Sequence, residues 1–129
     1  MKKLALVLFL ALSGTLAFAA DPIPYDSATV KDVMHSNMAT AGAVTKALAS
    51  GDWIAVADGF IQFSLNAKKR RQYAAPKGDA KEWARLWDDF LTASYLGAGA
   101  GGSKDAATAK KYLDQLTGDR NQGHTQFKG

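Results

Sequence analysis

AGAVTKALASGDWIAVADGFIQFSLNA, residues 41–67, decides the fold. Upstream of Gly51, the apolar positions Ala41, Val44 and Leu48 recur at helical steps, and Val30, Val33 and Met34 carry the same stripe back toward Ser27. Downstream, Trp53, Val56, Phe60, Phe63 and Ala67 alternate steps of three and four. Two amphipathic helices therefore meet at Ser50-Gly51-Asp52, with Asp52 as the N-cap of the second. So short a connection forces the two to lie antiparallel. The spacing predicts a first helix over 27–50 and a second over 52–73.

Two more helices follow. Pro76-Lys77-Gly78 breaks the chain, and Asp79-Ala80-Lys81-Glu82 has the arrangement of a capping box. It opens a third helix over 80–96, with Trp83, Leu86, Trp87, Phe90 and Ser94 inward. Gly97 to Ser103 reads as a flexible connector, and Ser103 or Asp105 can cap a fourth helix over 104–127. Its inner stripe starts Ala106, Ala109, Leu113, Leu116. No segment reads as a strand, so the expected fold is all-α, an antiparallel up-down-up-down four-helix bundle. Lys68-Lys69-Arg70-Arg71 closes the second helix, where cations suit the dipole. It reads as a solvated helix end, the alternative being a docking patch for an acidic partner.

The first residues stand apart from this pattern. Lys2 and Lys3 precede an unbroken apolar run from Leu4 to Leu12, and Ala17-Phe18-Ala19 supplies small residues for cleavage. Residues 1–19 read as a secretory signal peptide, cut after Ala19 or Ala20, with the bacterial periplasm as destination. It is too short for a membrane span, and none is expected elsewhere. The mature chain of about 110 residues suffices for one domain. Removing Lys2 and Lys3 lowers the formal charge from +4 to +2, an excess too mild to suggest nucleic acid. The absence of cysteine excludes disulfides, iron–sulfur clusters and a covalent haem.

The fourth stripe carries residues foreign to a core. Continued, it reaches Arg120, His124 and Phe127, with His124 and Arg120 each within about 20° of Leu113 around the helix. One reading is fraying: if Gly118 ends the helix, His124 is a surface histidine on a polar tail. The other starts from Met34 and Met38 in the first helix, whose beginning lies beside the end of the fourth in such a bundle. Either methionine then faces His124. Thioether and imidazole suit a low-spin electron-transfer haem, and Arg120 can meet a haem propionate.

Val33-Met34-His35-Ser36-Asn37-Met38, Lys81-Glu82-Trp83 and Arg120-Asn121-Gln122-Gly123-His124 together resemble the class II cytochromes c and their non-covalent b-type relative. The similarity runs over roughly 26–127. Arg120 and Gly123 occupy the two cysteine positions of the Cys-x-x-Cys-His motif, while His124 keeps the ligand position. The resemblance implies a periplasmic bundle holding haem b through methionine and His124, used for one-electron transfer with a periplasmic redox protein. Met34 fits the class II pattern and Met38 the b-type pattern. Homodimers through a helix face are also consistent with the family.

The alternative is a haem-free bundle that binds a partner, its aromatics closing an ordinary core. Two histidines far apart give no zinc or copper cluster. No nucleophile–base pair or carboxylate dyad argues for an enzyme, since Asp88 and Asp89 point to different helix faces.

Overall fold

Four aspartates start four helices. In the computed structural model, which describes residues 21–127, α1 spans Ser27–Ser50, α2 Trp53–Arg71, α3 Ala80–Gly102 and α4 Ala106–Phe127. The leader expected at 1–19 and the side chain of Phe127 lie outside the described residues. Asp26 accepts from the Thr29 amide at 3.2 Å and the Thr29 hydroxyl at 2.6 Å. Asp52 accepts from Ala55 N–H at 3.1 Å, and Asp79 from Lys81 N–H at 2.7 Å. Asp105, rather than Ser103, caps α4 through the Thr108 amide and hydroxyl at 3.1 and 2.6 Å. Each carboxylate satisfies amides that the first helical turn leaves without partners. The capping box at α3 is half formed, because Glu82 turns to Arg85 at 3.1 Å instead of reaching back.

Gly51, in the left-handed region at φ 70°, ends α1, and Asp52 N–H reaches back to Ala47 O at 3.0 Å. The chain then reverses into α2 through the two-residue connection Gly51-Asp52. The fold is an antiparallel four-helix bundle. Among the described residues consecutive helices pack closely, whereas the α1–α4 seam is the loosest between adjacent helices.

The expected connector 97–103 is helix almost throughout, and this corrects the predicted end of α3 at 96. The reason is close approach. A Cβ at Gly97 would overlap the Phe60 ring, and one at Gly101 would lie 2.9 Å from the Ala57 backbone nitrogen. Glycine there lets α3 press against α2, and the packing outweighs its poor helix propensity. The α1–α2 and α3–α4 turns share this end of the bundle, which Val44, Val56, Phe60, Ala100 and Ala109 fill completely.

Toward the opposite end the side chains grow. Phe60, Phe63, Phe90, Trp87 and Trp83 form a continuous row of rings with centroids 5.4–6.0 Å apart. The N-terminal segment straps this end. Ile23 pairs with the chain beyond α2, donating to Gln72 O at 2.8 Å and accepting from Ala74 N–H at 2.7 Å. Glycine and alanine thus let the helices approach at one end, and large aromatics fill the other.

Candidate functional site

The strapped end holds an apolar cleft of about 380 Å³, within the range of roughly 300–1,000 Å³ usual for small-molecule sites. One wall is α3, presenting Trp83, Leu86, Trp87 and Phe90. These recur at steps of three and four, so a single helix face supplies the whole wall. The facing wall is the start of α1, with Val30, Val33 and Met34, and the last turns of α4 close the rim with Arg120 and His124.

The predicted site residues separate here. Met34, Arg120 and His124 all line the cleft. Met38 does not: it is 56% exposed and borders a smaller neighbouring depression. One helical turn makes the difference, because α1 turns Met34 inward beside Val33 and leaves Met38 on the outer edge of the stripe. His124 is half-buried, since α4 continues through Gly118 and Gly123 to Phe127 rather than fraying at 118. Arg120, expected inward, is exposed at the rim. His35 is exposed on the opposite face of α1.

The cleft also contains a residue that the sequence pattern placed in solvent. Arg70 is 2% exposed, in contrast to Lys68, Lys69 and Arg71 around it. Its guanidinium lies over the Trp83 ring at 4.5 Å from the centroid and 5.6 Å from that of Tyr25. Trp83 is itself held by its indole N–H, which donates to Tyr73 O at 3.1 Å, and Tyr25 is carried in on the N-terminal strap. Two aromatic rings offer the cation an attractive face, yet neither supplies a hydrogen-bond acceptor in the guanidinium plane. Among the described residues Nη1 and Nη2 are buried without partners. Burial lowers the Arg70 pKa, opposed by the nearby Tyr25 and Tyr73; a guanidinium so placed stays charged.

A signal for Arg70 did exist in the sequence. The inner stripe of α2 runs Phe60, Phe63, Ala67, and one further step of three lands on Arg70. The surrounding basic residues hid it, because the run reads as a uniform solvated end.

Among the described residues two other buried polar atoms of cleft-lining side chains lack partners, Trp87 Nε1 and Asp119 Oδ2. Burial raises the Asp119 pKa, as does the Asp89 carboxylate, while Arg85 opposes them. Asn37, on the α1 wall, is anchored from behind: Asn66, buried on α2, donates to Asn37 Oδ1 at 2.8 Å and to Ser36 Oγ at 2.9 Å. Among the described residues, no three His, Cys, Asp or Glu side chains gather to hold a metal ion. No described helix is long and apolar enough to cross a membrane. Compared with protein-family models, curated proteins and solved structures, the chain matches none.

Proposed function

We propose that the protein is a periplasmic relative of the class II cytochromes, holding haem b non-covalently in this cleft. Met34 and His124 would hold its iron. The observation that carries the reading is the convergence of Met34, from α1, and His124, from α4, on one aromatic-walled cleft. The donor chemistry fits the group. A thioether and an imidazole suit a low-spin iron, an apolar wall suits a flat macrocycle, and buried guanidinium donors suit its propionates. Bound haem supplies a one-electron couple, so the expected role is electron transfer with another periplasmic protein. The chain's own residues do the rest. Trp83, Trp87 and Phe90 would pack against the macrocycle and shield it from water, and such apolar surroundings together with a methionine ligand would raise the potential.

The test is a haemin titration of the mature protein, with optical spectra before and after reduction. A saturable sharp Soret band, and split α and β bands on reduction, are expected. His124→Ala and Met34→Ala each abolish the low-spin spectrum, whereas Met38→Ala leaves it unchanged. Absence of saturable binding would overturn the reading in favour of a haem-free bundle that binds a partner.

A further inference from the structure

A cation buried beyond the reach of water is costly unless something answers its charge and its N–H groups. Arg70 has an answer to neither in full. The Trp83 and Tyr25 rings cover it, but Nη1 and Nη2 are without acceptors. These are the two terminal nitrogens, the pair that meets both oxygens of a carboxylate side by side. The chain's own carboxylate in the cleft does not fill the role, for Asp119 Oδ2 is also buried without a partner. Trp87 Nε1 adds a further unanswered donor to the same cleft. Around them the surface is apolar, so an inorganic anion would answer the charge and leave the aromatic wall in contact with water.

We propose that Arg70 is the receptor for the carboxylate of an amphipathic ligand whose apolar body fills the cleft. Arg120 at the exposed rim is left in the lesser role of a screened surface cation. The inference deepens the haem reading, and rests on it only for the identity of the apolar body. A tetrapyrrole propionate and the carboxylate of a free fatty acid share the chemistry, and the iron ligands take no part in it.

The experiment uses metal-free protoporphyrin IX, its dimethyl ester and palmitate, with binding read by tryptophan quenching and displacement. The free acid is expected to bind at least about tenfold more tightly than the ester, the size of one charge-assisted hydrogen-bond pair. In Arg70→Met the preference falls to within about twofold, and Arg70→Lys restores part of it. Circular dichroism checks that both variants keep the helical fold. Equal binding of acid and ester by the wild-type protein, or an undiminished preference in a folded Arg70→Met, would overturn the proposal. The two readings fail separately. Haemin bound through His124 without any acid–ester preference leaves haem binding standing and removes the receptor. Arg70-dependent binding of palmitate, with none of haemin, leaves the receptor standing and identifies the ligand as a fatty acid.

Discussion

Arg70 and Asp119 bring opposite charges to one cleft, and among the described residues two buried atoms of Arg70 and one of Asp119 go unanswered. Each such atom costs about 1–3 kcal/mol relative to a satisfied one. For Asp119 the cost is visible through pH. Its folded pKa is raised above the ordinary 3.8, by burial first and by Asp89 second. The folded state therefore holds this proton more tightly than the unfolded chain does, and stability falls as pH climbs from the unfolded value through the folded one. Asp26 and Asp105 act with the opposite sign. Hydrogen bonds, chiefly from the Thr29 and Thr108 hydroxyls, lower their pKa values, so their stabilisation is lost as pH falls. Asp119→Asn isolates the first effect, because both proteins share the caps. The melting temperature of the variant minus that of the wild type should grow from about pH 4 to about pH 7. A difference that stays constant across that range would mean that Asp119 does not titrate differently on folding.

At the scale of the element, α3 is two helices in one. Its first half presents indoles and a phenyl ring to the cleft, and its second half presents glycine to α2. The halves predict opposite responses to alanine. Gly97→Ala drives a methyl group into the Phe60 ring and should cost about 1–3 kcal/mol, the usual range for overpacking. Gly99→Ala meets nothing within 4 Å and should stabilise the helix by about 0.5–1 kcal/mol. Urea melts of both variants test this; stabilisation of Gly97→Ala would show that α3 does not press on α2 as described. The same element marks the limit of what sequence shows. Periodicity revealed the inner faces, because Val56, Phe60, Phe63, Leu86 and Phe90 are buried by their own spacing. It could not reveal Gly97–Gly102 as helix, since the reason lies on a partner helix and not in the segment. The candidate site was half legible for a related reason. His124 stands out as a residue foreign to the α4 stripe and Met34 lies on the apolar stripe of α1, whereas Arg70 was masked by three charged neighbours that solvent does reach.

For the whole molecule the consequence is a gradient of order along the bundle axis. The turn end combines full burial with interlocking small residues, while the strapped end surrounds a cleft bordered by the α1–α4 seam, the loosest between adjacent helices among the described residues. Local opening should follow that gradient, because segments with fewer buried contacts open more readily. Amide hydrogen exchange is expected to be slowest in Val56–Ala67 and Ala93–Gly101, and fastest at the start of α1 and the end of α4. A ligand in the cleft should slow the fast group selectively. Uniform protection along α1 and α4 without ligand would contradict the description.

The placing of the three tryptophans gives the protein its own optical probe. Trp83 and Trp87 lie edge to face at 5.8 Å on the cleft wall, whereas Trp53 stands at the first residue of α2, beside the opposite turns. Light absorbed at either end is emitted under different conditions. A chromophore in the cleft extinguishes the close pair more strongly than the distant ring, and what survives is weighted toward Trp53. Intrinsic emission therefore reports on the two ends of the bundle separately, without any label being attached.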